Sequence, residues 1–161
     1  MTLLELILVM VILSTVLAMA APSLRGFFAS RRTEDTAAQI LALTQLARSQ
    51  AICEGIIYRL NFDTQERTYW LTAQQEGAFE KLKTGFGQIF ALPKDIEMEL
   101  DGVEEDGKDK FLAFTPHGTV TAGTVRLIDR RGQAVEVTCP TITESFSIVE
   151  STRIYGQAIS R

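Results

Sequence analysis

The spacing of apolar residues changes twice along the chain. Residues 3–21 are apolar or small apart from Glu5, and a run of this length is about what a helix needs to cross the ~30 Å hydrocarbon core of a bilayer. In residues 30–54 apolar side chains recur every three or four positions opposite a polar face, which predicts an amphipathic helix that ends at Gly55. From residue 56 onward the period is two, which indicates strands. We therefore expect a transmembrane and assembly helix, its amphipathic continuation and a β-sheet domain, at residues 1–22, 23–55 and 56–161.

The C-terminal part of the chain predicts an antiparallel β domain. Turn residues separate the apolar runs at 63–66, 116–118 and 130–132. A sheet with one apolar face needs a cover, and the apolar stripe of the helix needs one too, so packing the two together satisfies both. The predicted fold class is α+β, with one long N-terminal helix packed on the sheet. The strands are predicted at residues 56–62, 67–73, 96–100, 111–115, 124–129, 133–139 and 145–150.

Glu5 is the one residue of the apolar run that needs an explanation. A carboxylate in a membrane span costs roughly 2.5–3.5 kcal/mol at the bilayer centre and less near the surface, so it usually has a partner or a function. In one explanation Glu5 lies in the first helical turn, where the helix dipole favours a negative charge. In the other it pairs with the N-terminal amine of a second copy of the helix. The residues alone leave both explanations open.

The N-terminal stretch has a recognisable order of residues. Residues 2–13 read TLLELILVMVIL, and Pro22 follows them. This N-terminus resembles that of mature type IV pilins and type II secretion pseudopilins, and the resemblance covers residues 1–22. It implies a type IV pilin-like fold, in which Glu5 neutralises the N-terminal amine of a neighbouring subunit during assembly and Pro22 kinks the helix. The assembly partners would be other pseudopilins or pilins, bound through the N-terminal helix.

The resemblance also implies processing of the N-terminus. In the family a prepilin peptidase removes a short basic leader that ends in glycine, and the new first residue, usually Phe, is N-methylated. Met1 stands at that position here. We expect either a mature form whose first residue was replaced by an initiator, or a start codon placed too late. The expected location is the bacterial inner membrane, with a single pass and the C-terminal domain in the periplasm, followed by assembly into a periplasmic filament.

Later motifs narrow the resemblance to a subfamily. The stretches ARSQAI at 47–52, LNFD at 60–63 and FTPHGT at 114–119 are similar to those of minor pseudopilins of the GspH/FimT type. This implies a structural subunit of the type II secretion pseudopilus that helps to initiate filament assembly and protein export. Secreted cargo and the secretin channel are further partners that the resemblance suggests. The expected function is not enzymatic, and no cofactor is expected.

Two other functions stay open at this point. One is a minor pilin of a type IV pilus that serves adhesion, motility or DNA uptake, because some relatives bind DNA through basic residues near the C-terminus. The arginines available for this are Arg130, Arg131, Arg153 and Arg161. The net charge of −4 and the pI near 5.1 disfavour nucleic acid as a partner, since phosphate binding draws on a clustered basic surface. The other is a membrane-anchored periplasmic binding module.

The remaining candidate chemistry concerns two cysteines and one acidic stretch. Cys53 and Cys139 are expected either to form a disulfide in an oxidising periplasm or to remain two separate buried thiols. Two cysteines and one histidine do not make a usual structural zinc site, and His117 is expected to be a turn residue. The acidic residues 101–110 suggest a solvated hairpin tip, with calcium binding as the alternative. No metal site is expected.

Overall fold

One long helix, α1, precedes all the strands. The computed structural model describes residues 2–82, 85–107 and 109–152, apart from the side chains of residues 19–30 and 150–152. Helix α1 spans Leu3–Glu54 and begins with a capping box between Thr2 and Glu5, as a Thr three residues before a Glu favours. It ends at Gly55, whose φ of 71° is left-handed and whose N–H donates to the carbonyl of Ala51 at 3.0 Å.

Ten strands follow in the described part of the chain. The seven predicted strands are confirmed, with ends displaced by no more than two residues. The three additional strands are two to four residues long, and most of their side chains are exposed, so they lack the alternation that marks a strand in a sequence. The strands are β1 (Tyr58–Asp63), β2 (Thr68–Gln75), β3 (Ala78–Lys81), β4 (Phe90–Ala91), β5 (Ile96–Asp101), β6 (Glu104–Asp106), β7 (Asp109–Phe114), β8 (Gly123–Asp129), β9 (Gln133–Cys139) and β10 (Ser147–Thr152), with one 3-10 turn at Gly85–Gly87.

The strands form two antiparallel sheets rather than the one sheet that the pattern suggests. The first sheet has the order β3-β2-β1-β7-β6, with β4 paired to β2, and the second has the order β10-β9-β8-β5. Hairpin turns join β1 to β2 and β8 to β9 at the predicted positions. Both sheets contact the same helix, so α1 is the element that holds them together.

The core lies between α1 and the inner faces of the two sheets. The helix contributes the predicted stripe of small and apolar residues, and the sheets contribute alternate residues of their central strands, as one-sided burial requires. Complete burial of a Leu or Phe side chain stabilises the fold by roughly 1.5–3 kcal/mol. The buried residues include Ala37, Ile40, Ala47 and Ala51 of the helix, Leu60, Phe62, Leu71, Leu112 and Phe114 of the first sheet, and Val125, Leu127, Val135 and Val137 of the second.

The two ends of the β domain differ in their position along α1. At the near end, toward the start of the helix, Arg32 forms an ion pair with Asp95 at 3.6 Å. At the far end, Arg48 contacts the chain at residues 143–145, and Ile52 lies beside Gly118. The near end therefore faces the N-terminal half of α1, and the far end faces away from it.

Candidate functional site

The first turns of α1 expose an unusually apolar surface. Among residues 3–17, the large apolar side chains are between 43% and 79% exposed. Single exposed apolar residues are common on proteins, but a contiguous patch of this size marks an interaction surface. Within the described residues, no helical segment is both long enough and apolar enough to span a membrane.

The polar side chains on this surface bond to their own helix. The Ser14 hydroxyl donates to the carbonyl of Val11 at 2.9 Å, and the Thr15 hydroxyl donates to the carbonyl of Ile12 at 2.8 Å. A hydroxyl that is satisfied within the helix needs no water, so it can be buried against a partner at small cost. These two hydroxyls therefore interrupt the apolar surface very little, because their donors are already satisfied.

Glu5 occupies the third position of the helix, where its carboxylate closes the capping box. The backbone N–H of Thr2 donates to Oε2 of Glu5 at 3.4 Å, and the backbone N–H of Glu5 donates to Oγ1 of Thr2 at 3.3 Å. In the single chain, Glu5 therefore lies in the first helical turn and contacts only the start of its own helix among the described residues, as the first explanation predicts. Pairing with a second copy stays a prediction. Met1 lies outside the described residues, and so does the side chain of Pro22, where a kink was predicted.

Cys53 and Cys139 are separate free thiols in the structure, so no bridge joins them. Cys139 is buried on β9, but Cys53 is exposed on the last turn of α1, which corrects the expectation that both thiols would be buried. The thiol of Cys139 donates to the carbonyl of Thr141 at 3.0 Å. Burial raises the pKa of this thiol, so it stays protonated and weakly nucleophilic at neutral pH.

Arg48 binds the β9–β10 connection to the helix, a contact that no sequence pattern indicated. Its Nη1 donates to the carbonyl of Glu144 at 2.8 Å and to Oγ of Ser145 at 2.9 Å, and its Nη2 donates to the carbonyl of Thr143 at 3.0 Å. A planar guanidinium suits several acceptors of fixed geometry. These three bonds hold the connection, and with it the start of β10, against α1.

The four arginines proposed for DNA binding are not all within the described residues. Arg130 and Arg131 lie exposed in the β8–β9 turn at the near end of the domain, whereas Arg153 and Arg161 lie outside the described residues. The turn is held by Asp129, whose Oδ1 accepts from the backbone N–H of Arg131 at 2.8 Å and of Gln133 at 2.9 Å. Arg130 and Arg131 are thus presented to solvent by a well-bonded turn.

The acidic stretch forms a hairpin, as predicted, but it is shorter than expected because Asp101 belongs to β5 of the other sheet. Its carboxylates are engaged individually. Asp106 pairs with Arg59 at 3.2 Å, and Glu105 pairs with Lys110 at 3.1 Å. Among the described residues, no three His, Cys, Asp or Glu side chains converge as metal ligands. His117 lies exposed in its predicted turn.

A shallow apolar groove lies between the second half of α1 and the connection after β3. Leu46, Ala73 and Leu82 line it, and Phe86 stands at its edge with 54% of its surface exposed. Tyr58 and Glu54 also line it, and the hydroxyl of Tyr58 donates to Oε2 of Glu54 at 2.8 Å. The sequence did not indicate this groove, because its lining comes from elements that are distant along the chain.

The family comparison decides what kind of protein carries this helix and these sheets. The model of the family described as type II transport protein GspH matches residues 36–140, which is well over half of the chain. The chain belongs to the GspH family. The match covers the packed half of α1 and the β domain up to the end of β9. No curated protein matches the sequence.

Solved structures support the fold of this GspH-family protein. A structure of the minor pseudopilin EpsH from the type II secretion system of Vibrio cholerae superposes with a TM-score of 0.64 at 14% identity, covering 74% of this chain and 97% of that one. A crystal structure of the same minor pseudopilin gives a TM-score of 0.64 at 14% identity, covering 77% and 97%. At this identity the likeness shows the fold, and it confirms the predicted pilin-like arrangement of one long helix on antiparallel sheets.

Proposed function

We propose that this GspH-family protein is a minor pseudopilin, a structural subunit of the type II secretion pseudopilus that helps to initiate filament assembly and protein export. The observation that carries the proposal is the apolar surface of residues 3–17, displayed on a helix whose other half is buried in the domain. A helix that exposes so much apolar surface needs lipid or other helices around it. A subunit that moves from a membrane into a filament has lipid around this helix first and the helices of other subunits afterwards.

Glu5 has the geometry of a group that can exchange partners during assembly. Its bond to the N–H of Thr2 measures 3.4 Å, which is long for a hydrogen bond. A charged amine makes a shorter and stronger bond to a carboxylate than a neutral N–H does. The N-terminal amine of a neighbouring subunit would therefore replace the capping bond readily, and its charge would neutralise Glu5 in an apolar surrounding.

The proposal includes a location and a set of partners. Residues 1–22 anchor the protein once in the inner membrane, with the β domain in the periplasm, and a prepilin peptidase acts on a leader before residue 1. Other pseudopilins pack against the N-terminal helix in the filament, and secreted cargo or the secretin contacts the β domain. The role is structural rather than catalytic, which agrees with a surface built for helix packing.

The first test is mass spectrometry of the N-terminal peptide of the protein isolated from the membranes of its native host. A peptide that begins at the residue before Thr2 and carries one additional methyl group is the expected result. A peptide that begins with an unmethylated initiator, or after Ala21, would refute entry into the pilin pathway.

The second test changes Glu5 and measures assembly. We expect Glu5→Ala and Glu5→Gln both to prevent incorporation into the filament, because neither side chain can neutralise an amine. Glu66→Gln makes the same chemical change at an exposed turn and is expected to assemble normally. Incorporation of Glu5→Gln at the level of the Glu66→Gln control would show that the charge of Glu5 has no role in assembly.

A further inference from the structure

The near end of the β domain carries an uneven distribution of charge. On the side of the second sheet, Lys94, Arg130 and Arg131 are exposed, and none of the described carboxylates forms an ion pair with them. Lys94 and Arg130 line one cavity of about 260 Å³, next to the β8–β9 turn that carries Arg131. We refer to these three residues as the basic cluster.

Two of the three carboxylates around the basic cluster already have ion-pair or hydrogen-bond partners. Asp95 pairs with Arg32, and Asp129 is buried, with its Oδ1 bonded to two backbone N–H groups. Glu97 is the one exposed acidic side chain that lines the cavity. The cluster is thus a net positive area on a protein whose overall charge is −4.

The other side of the near end carries carboxylates, most of which are already paired. The strand pairing places Phe62 opposite Lys110, so the β6–β7 hairpin ends near the turn that joins β1 to β2. This hairpin contributes the exposed residues Glu105, Asp106 and Asp109. Glu105 pairs with Lys110 and Asp106 pairs with Arg59, which offsets two of these three charges. The end of the domain that faces the N-terminal helix is therefore basic under the second sheet and only weakly acidic under the first.

The helix fixes how far this end lies from a bilayer. If residues 3–21 occupy the hydrocarbon core, the eleven residues from 21 to 32 add roughly 16 Å. The headgroup layer fills about 5–8 Å of that distance. The remaining gap is close to the screening length of about 8 Å at physiological salt, and an ordinary helix tilt of about 20° narrows it on one side.

We infer that the basic cluster of Lys94, Arg130 and Arg131 is a docking surface for anionic phospholipid headgroups. The inference rests on the membrane anchor of the proposed function. The cluster attracts an anionic bilayer, and the hairpin on the other side of the near end offers no matching attraction, so such a bilayer tilts the domain with its second sheet toward the membrane. This contact would hold the subunit in one orientation before it enters the filament.

The experiment compares the full chain in nanodiscs of phosphatidylcholine alone with nanodiscs that also contain phosphatidylglycerol. Thermal unfolding is followed by the fluorescence of Trp70, which is the one tryptophan of the chain. We expect phosphatidylglycerol to raise the Tm by roughly 4–8 °C, and high salt to cancel the rise. Without the cluster, a protein of net negative charge would be unchanged or destabilised by an anionic surface.

A pair of variants assigns the effect to the cluster. Lys94→Gln with Arg130→Gln should abolish the rise. Lys81→Gln with Arg126→Gln removes the same charge on β3 and in the middle of β8, away from the near end, and should retain the rise. Each variant is compared with itself in the two kinds of nanodisc, so changes in its basal stability cancel.

The outcomes separate this inference from the proposed function. A chain that does not elute with the nanodiscs refutes the membrane anchor, and this inference fails with it. A chain that inserts but has the same Tm in both nanodiscs refutes the lipid contact alone. If the Tm is the same and the Lys94→Gln, Arg130→Gln variant instead loses a salt-sensitive association with duplex DNA, the cluster is a nucleic-acid surface and the lipid assignment is wrong.

Discussion

Replacing Arg48 with alanine should loosen the second sheet from the helix. Its guanidinium makes three hydrogen bonds, of 2.8, 2.9 and 3.0 Å, to the connection between β9 and β10. No hydrogen bond or ion pair joins this connection to another described side chain of α1. The substitution therefore removes the polar attachment of β10 to the helix while leaving the apolar core in place.

The expected loss in the free energy of unfolding depends on how far these hydrogen bonds are exposed to water. A buried hydrogen bond to a charged group contributes about 1.5–3 kcal/mol, but Arg48 is only partly buried and water can replace its guanidinium at some of the acceptors. We therefore expect the three bonds together to contribute about 2 kcal/mol to the free energy of unfolding, rather than three times the value of one. For a domain of this size, that corresponds to a fall in Tm of roughly 6–10 °C.

Urea unfolding followed by the fluorescence of Trp70 measures the effect. Arg31→Ala is the matched control, because Arg31 is exposed on the same helix and makes no ion pair with another described residue. Arg48→Lys should lie between the wild type and Arg48→Ala, because a single ammonium cannot reach all three acceptors. A loss below about 0.5 kcal/mol for Arg48→Ala, or an equal loss for Arg31→Ala, would refute the assignment.

Three further predictions concern a helix end, two phenols and a buried carboxylate. Gly55→Ala should lower the free energy of unfolding by about 1 kcal/mol in urea titrations, because φ is 71° there, although an added Cβ would meet no atom within 4 Å. The pKa values of Tyr58 and Tyr69 are raised to about 12 by burial, with a hydrogen bond to a carboxylate adding to the effect at Tyr58. Because the unfolded phenols ionise near pH 10, stability should be fully present below pH ~10 and be lost as the pH rises toward ~12, as circular dichroism at increasing pH would show. Asp129→Asn should leave the free energy of unfolding unchanged or raise it, because Oδ1 keeps its donors and the buried Oδ2 has no partner among the described residues, whereas Asp129→Ala should lower it by about 2 kcal/mol.

The regular elements could be predicted because their signals are local. The apolar stripe of α1, the glycine at its end and the period-two runs of the longer strands depend only on neighbouring residues. The division into two sheets could not be predicted, since it depends on which strands pair across long stretches of chain. For example, β1 pairs with β7 and β5 pairs with β8, and no turn between neighbours fixes either pairing.

The same distinction applies to the candidate site. Glu5 was identified because it is a charge in an apolar run, and its contact with Thr2 lies within three residues. The groove at Phe86 and the attachment by Arg48 join residues that are far apart in sequence, so no pattern could reveal them. The cysteines show that spacing along the chain does not determine distance in the fold. Their spacing permitted a disulfide, but the fold exposes Cys53 on the helix and buries Cys139 in β9.

The two halves of α1 separate the stability of the subunit from its assembly. Residues 36–51 bury their stripe against both sheets, so substitutions such as Ile40→Ala must unfold or weaken the domain. Residues 3–17 contribute no side chain to that core, and in the single chain they are held by contacts within the helix: the capping box, the backbone hydrogen bonds and the hydroxyls of Ser14 and Thr15. Partners can therefore pack on the first half without any change in the β domain. A polar substitution there should impair assembly while leaving the Tm of the domain as it was, which is the behaviour expected of a subunit whose β domain is stable both before and after assembly.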